Sequence, residues 1–178
     1  MKILLVGAHG TGKTTLAKEI VKRYKDLWLI DNIHREAKRD GFKINKTNDI
    51  VSQIETVRRY LEKVGARNSF ISTDNIIRQT AYALCNKLPE PIISLMKELC
   101  YIEREHFANK VFYVPIEFPL EKDGVRNKGI KYQKEIDVEI QDLLNTYYWN
   151  MYYTITGSVN QRTNEILKVS GLKKLKDF

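Results

Sequence analysis

Near the amino terminus, Gly7-Ala8-His9-Gly10-Thr11-Gly12-Lys13-Thr14 fits the pattern G-x-x-x-x-G-K-[ST] at every fixed position. Glycine at that spacing lets successive backbone N–H groups turn inward, and a helix starting at its end adds a positive pole, so the loop suits phosphate oxygens. Lys13 then reaches the β- and γ-phosphates of a nucleotide, and the Thr14 hydroxyl is placed to ligate Mg²⁺. Gly7, His9, Gly10, Thr11, Gly12, Lys13, Thr14 and Thr15 are the expected nucleotide contacts. Within that set His9 reads as a loop filler rather than an acid or base, and Thr15 as a packing or capping residue.

A phosphate loop leaves the reaction open, because kinases, GTPases, motors and AAA-type ATPases all use one. A GTPase calls for Asn-Lys-x-Asp, and Asn45-Lys46-Thr47-Asn48 lacks the Asp. A motor or AAA-type ATPase calls for an apolar run into Asp-Glu, which this chain does not contain. A small kinase fits better, and two carboxylates suit it. Asp31 closes an apolar run after the phosphate loop and can take the proton of an attacking hydroxyl, its plainer reading being a helix N-cap. Asp74, closing the next run, is an acceptor contact, an outer-shell Mg²⁺ contact or again an N-cap. Arg126 suits the charge on a migrating phosphoryl group, while Lys131 and Arg162 are candidates for phosphate and adenine.

The elements that must position these groups alternate along the chain. Lys2–Val6 is a short apolar run ending at Gly7, the pattern of a central strand buried on both faces. Leu16, Ile20, Val21 and Tyr24 recur at helical spacing, and Trp28-Leu29-Ile30 follows as a second strand. Ile50, Ile54, Val57, Leu61 and Val64 mark a helix before the strand Phe70-Ile71-Ser72; helices over 76–87 and 92–108 precede the strand Val111–Val114. Ile136, Ile140, Leu143, Leu144 and Tyr147 mark another helix, Tyr152–Ile155 a fifth strand and Val159–Val169 a last helix. Tyr147, Tyr148, Trp149, Tyr152 and Tyr153 read as core packing rather than a base-stacking platform. The pattern predicts an α/β fold with one open parallel sheet of about five strands, helices on both faces, and ligands outside the carboxyl ends of the strands. Residues 1–169 form the single expected domain. Residues 119–130, charged and without apolar period, form a lid, and 170–178 a basic tail.

The chain has 178 residues, 43% of them hydrophobic, with only 9 Gly and 4 Pro, which excludes disorder, collagen and a small disulfide scaffold. Cys85 and Cys100 form no CxxC pair and read as reduced, small apolar residues. No run of about 18 apolar residues or signal-peptide pattern occurs, so the expected location is the cytoplasm, with no membrane partner. Thirty Lys and Arg face 22 Asp and Glu, a net charge of +8 that favours polyanionic partners. Oligomeric state is not legible.

Several of these segments together resemble a known family: the small P-loop kinases similar to the nicotinamide riboside kinase domain of bacterial NAD regulators, a group that includes many phage proteins. The resemblance spans about residues 1–167. It rests on residues 7–15, Asp31 ahead of Arg35-Glu36, Gln53, Thr73-Asp74-Asn75 with Ala81-Tyr82, Pro115-Ile116-Glu117-Phe118-Pro119 leading to Asp123-Gly124-Val125-Arg126, and Ile155-Thr156-Gly157-Ser158 with Arg162. It implies a thymidylate-kinase-like P-loop fold, ATP and Mg²⁺ as cofactors, and γ-phosphoryl transfer to a hydroxyl of a nucleoside or nucleotide. Lys13, Asp31 and Arg126 would be catalytic; Asp31, Arg35, Asp74, Tyr82, Phe118 and Lys131 would meet the acceptor; Thr14 and Asp74 would serve the metal. Tyr82 and Phe118 could sandwich a flat acceptor ring, though burial explains them equally well. Two departures stand out. Asp74 is followed by Asn75 where relatives carry Arg, with Arg78 the next basic residue, and Asp31 stands where relatives tend to have Glu. The charge and the altered acceptor-side motif keep open a hydroxyl borne on a nucleic acid, either a modified base such as a hydroxymethylpyrimidine or a terminus. A nucleotide-binding regulatory module with little turnover is the reading from a different class.

Overall fold

Four of the five residues in the run Lys2–Val6 are completely buried, and this strand, β1, is the middle of the sheet. The computed structural model describes residues 1–44, 47–118 and 129–172. Around β1 the order is β2-β3-β1-β4-β5, all parallel, with β2 at Trp28–Ile30, β3 at Phe70–Ser72, β4 at Lys110–Tyr113 and β5 at Tyr152–Thr154. The expected α/β architecture is the observed one. Successive strand side chains point to opposite faces, so each strand feeds two cores. Ile3, Leu5, Ile71, Phe112 and Val114 pack under α1 (Lys13–Arg23) and α7 (Val159–Val169). Leu4, Val6, Phe70, Val111 and Tyr113 pack under α3 (Ile50–Gly65), α4 (Ile76–Cys85), α5 (Glu90–Phe107) and α6 (Ile130–Tyr147). The short α2 (Ile33–Arg39) packs on α3.

Helix ends follow local chemistry. Pro91 falls in the first turn of α5, where a missing N–H costs nothing, so the helix starts at Glu90, two residues earlier than its apolar period suggests. Asp49 and Asn75 accept from Ser52 N–H and Arg78 N–H to open α3 and α4. Ser158 opens α7 with a reciprocal capping box to Gln161, which fixes the first turn of that helix beside the carboxyl end of β5. Helix α6 begins at Ile130, well before its apolar period becomes legible at Ile136.

The aromatic cluster departs from expectation. Tyr148 is buried, but Trp149, in the turn before β5, is 69% exposed, and Tyr153, on the edge strand β5, is 42% exposed. Cys85 and Cys100 form no disulfide with each other; Cys100 is buried against Thr80 at 3.2 Å, and burial pushes the Cys85 thiol up to about 12. No helix of the described residues is long and apolar enough to cross a membrane. Residues 119–128 of the expected lid, with Arg126, and the tail lysines Lys173, Lys174 and Lys176 lie outside the described residues.

Candidate active site

The phosphate loop bridges the carboxyl end of β1 and the amino end of α1. Gly7 has φ +155° and passes so close to β4 that a Cβ would lie 2.4 Å from the Val114 carbonyl oxygen; no side chain fits. Gly12 caps α1 in the left-handed region, φ 87°, and the first bond of the helix runs from Leu16 N–H to Gly12 O. The preceding turn, with no acidic residue, thus directs its N–H groups and the helix pole out of the helix end. Lys13 Nζ donates to Ala8 O at 2.5 Å and to Thr11 Oγ1 at 3.2 Å, which folds its ammonium back over the loop.

Two other elements brace this loop through its carbonyls. Gln133 of α6 donates to His9 O at 2.6 Å, and Arg162 of α7 donates to Thr11 O at 3.2 Å. Asp137, one helical turn after Gln133, accepts from Tyr113 and Gln141. Burial raises its carboxyl above the usual range; these donors, with Ala8 N–H and the Lys13 ammonium nearby, oppose the rise without cancelling it.

Opposite the loop, the ends of β2 and β3 form a polar wall around Asp74. Its Oδ2 accepts from Ile33 N–H at 3.1 Å, capping α2 from a neighbouring strand, and its Oδ1 takes Arg78 and His34 Nδ1, the latter at 3.2 Å. Burial alone would raise this carboxyl. The bond to His34, the Arg78 charge and the Ile33 N–H outweigh it and hold Asp74 well below the usual carboxylate range. The Arg78 guanidinium stacks over Tyr82 at 5.3 Å, and the Tyr82 hydroxyl meets His9 Nδ1 at 2.9 Å, so the wall and the phosphate loop share a buried contact.

The third side is built on Arg162, 2% exposed. It donates to Gly157 O at 2.8 Å, pairs with Glu117, and lies over the Phe118 ring at 5.0 Å. Between the three sides is a cleft of about 340 Å³, lined by the phosphate loop, by Asn32, His34, Arg35, Thr73, Asp74 and Arg78, and by Phe118, Val159 and Arg162.

Most of the residues expected from sequence meet there. His9, Gly10, Thr11, Gly12, Lys13, Thr14, Thr15, Arg35, Asp74, Phe118 and Arg162 all line the cleft. Phe118, expected beside the acceptor, instead pairs with Arg162 on the opposite side from Asp74. Tyr82 is buried behind the wall and holds His9 rather than facing the cleft. Lys131 is exposed on the first turn of α6, outside the lining. Asp31 also lies outside it. One oxygen of Asp31 accepts from Asn32 Nδ2 at 2.6 Å, and burial followed by Asp74 raises its carboxyl, with Lys18 and Lys63 nearby. His34, Gln133 and Asp137 join the site with no motif in the sequence to mark them, and Arg78 enters as more than a displaced motif residue. The spacing Asp74–Arg78, one helical turn, was the available signal for Arg78.

The donors fit a nucleotide. N–H groups at a helix end, Lys13 and the Thr14 hydroxyl suit a triphosphate with its Mg²⁺, whereas both Asp74 oxygens already accept from protein donors, which does not suit a direct metal ligand. Among the described residues no group of three His, Cys, Asp or Glu is placed to hold a metal by itself.

An all-parallel sheet with this loop beside its central strand defines a P-loop NTPase domain of the thymidylate- and deoxyadenosine-kinase-like fold. Residues 2–162 match a family described as AAA domain, and the chain belongs to that family. The family shares its name with AAA-type ATPases, which carry an apolar run into Asp-Glu. In the structure β3 runs into Thr73-Asp74 and β4 into Val114-Pro115, and neither carries that pair. Among solved structures, NadR protein in complex with NR superposes with a TM-score of 0.76 at 13% identity, covering 98% of this chain and 52% of that one. The chain therefore spans about half the length of NadR. Deoxyadenosine kinase from M. mycoides gives 0.65 at 13% identity, over 96% of this chain and 99% of that one. Thymidylate kinase from Candida albicans gives 0.61 at 14%, over 98% and 94%. No curated protein matches the sequence.

Proposed function

We propose that this chain is a kinase that transfers the γ-phosphoryl group of Mg·ATP to a hydroxyl of a nucleoside- or nucleotide-type acceptor, residues 1–169 forming its catalytic domain. One observation carries the reading: a single cleft holds a triphosphate cradle and, facing it, a separate polar wall around Asp74. A module that only binds nucleotide needs the first and not the second. The kinases among the structural neighbours, solved with nucleosides or nucleotides, support it.

In this reading Lys13 and the N–H groups at the start of α1 hold the β- and γ-phosphates, and Thr14 would hold Mg²⁺, which supplies charge neutralisation when bound. Arg162 and Phe118 offer a cation and a ring face to the donor base. Arg35, Asn32 and the Asp74–Arg78 pair face the acceptor. Arg126 would add a guanidinium to the migrating group.

The test is a screen of γ-labelled phosphate transfer to nucleosides, mononucleotides, and single- and double-stranded DNA and RNA. Transfer to a nucleoside or mononucleotide is expected, and Lys13→Ala should reduce it at least about 10²-fold while the circular dichroism spectrum is unchanged. ATP binding without transfer to any acceptor, or transfer to nucleic acid alone, would overturn the reading.

A further inference from the structure

The proposed reaction needs a group that takes the acceptor's proton, and Asp31 lies outside the cleft lining while His34 lies in it. We infer that His34, oriented by Asp74, is the proton acceptor for the attacking hydroxyl; this rests on the kinase reading above. His34 sits on the first turn of α2, whose N-terminus Asp74 caps through Ile33 N–H at 3.1 Å. The same carboxylate, through Oδ1, meets His34 Nδ1 at 3.2 Å. One side chain thus fixes both the helix that carries the imidazole and the imidazole itself.

Two groups meet Nδ1, the Asp74 carboxylate at 3.2 Å and the Arg78 guanidinium at 3.5 Å; the nearer, ionised carboxylate favours the proton on Nδ1, which leaves the lone pair on Nε2. No described residue hydrogen-bonds Nε2, and the side chain keeps 16% of its surface exposed. The ring also packs on Tyr82 at 5.9 Å between centroids, and Tyr82 contacts the His9 ring at 6.3 Å, so the imidazole stands one aromatic ring away from the phosphate loop. The groups facing it are Asp74 and Arg78 with Tyr82 from the β3–α4 side. Burial and the Arg78 charge push its pKa below the ordinary 6.5 against the pull of Asp74, so it is neutral and ready to accept a proton at pH 7.

The acceptor oxygen forms a bond to the γ-phosphorus and its proton passes to His34 Nε2. The bond from γ-phosphorus to the β–γ bridging oxygen breaks, its electron pair leaving on ADP. His34 afterwards returns the proton to water. In the proton transfer Asp74 is a positioning residue, for it acts there through the imidazole it holds.

His34→Asn tests this, because the amide nitrogen of Asn reaches the place of Nδ1 and keeps the link to Asp74 while Nε2 is removed. With the best acceptor from the nucleoside and mononucleotide screen, kcat should fall on the order of 10²-fold and KM for ATP should stay within about 3-fold. The limb of the kcat–pH profile that titrates below pH 6.5 should disappear. Independently of any acceptor, long-range ¹H–¹⁵N spectra of the free protein at pH 7 should show His34 neutral with its proton on Nδ1. Wild-type kcat in His34→Asn, a loss in Asp31→Asn instead, or a proton on Nε2 in the free protein would each overturn the inference and leave the kinase reading standing. Absence of transfer by the wild type to every acceptor would overturn both.

Discussion

Glu103 is 1% exposed and lies deep in the core of α5, where it accepts from the Tyr60 hydroxyl, from Ile76 N–H at 3.0 Å and from the Tyr148 hydroxyl at 3.4 Å. It therefore helps cap α4, the helix that presents Arg78 to the cleft, from the side opposite the ligand. Burial raises its carboxyl to about 7 from the ordinary 4.5, although the bonds from Tyr60 and the α4 amides pull the other way. The folded protein thus holds this proton more tightly than the unfolded chain does. Below about pH 4.5 both states keep it and folding bears no penalty; as pH climbs toward 7 the unfolded chain releases it first, and stability falls by roughly 3 kcal/mol before levelling off. Glu103→Gln keeps an acceptor for Tyr60 and Ile76 N–H and has no proton to lose. Urea denaturation at pH 5 and pH 8 should show a drop for the wild type that is largely absent in Glu103→Gln, and equal slopes would refute the assignment.

Among the elements, α7 ties the phosphate loop to the β4 and β5 ends through a guanidinium that reaches Thr11 O, Gly157 O and Glu117 together. A lysine carries the charge but not the planar fork, so it cannot serve three directions at once. Arg162→Lys should lose about 2 kcal/mol of stability and raise KM for ATP on the order of 10-fold with a smaller change in kcat, as read from melting curves and initial rates. An unchanged KM would show that the helix does not steady the loop. The strands and the start of α7 were legible in the sequence because apolar runs and capping residues are local signals. The loop was legible for the same reason: its spacing is the chemistry. The wall around Asp74 was not. Asp74 caps α2 across a strand boundary and gathers His34 from 40 residues away, a contact that no periodicity announces. Which way Asp31, adjacent in sequence to α2, faces depends on how β2 sits against β3, and no local signal gives that. Tyr153 is exposed for a related reason, since an aromatic run reads as core until the strand order makes β5 an edge.

At the scale of the whole molecule, the net charge of +8 bears on which acceptor the cleft takes. A nucleic-acid substrate would release counterions at each phosphate contact, so its KM would climb about 10-fold or more between roughly 50 and 200 mM salt. A nucleoside offers almost no such counterions, and its KM should move by less than about 3-fold over that range. We expect the shallow dependence, measured as initial rates with the best acceptor at each salt concentration. The ordering of the sheet has a consequence of another kind. Its outermost strands, β2 and β5, have three residues each, while β1, shielded in the middle, has five. Arg67 lies over the Trp28 ring at 4.1 Å, and Lys110 stands 5.7 Å from the Tyr153 ring, placing a cation beside the exposed aromatic at each margin. A foreign strand laid along either margin would find only a short ladder to bond and a positive charge to displace. A sheet that keeps its longest, most apolar strand innermost is thereby guarded against runaway strand addition and fibre growth.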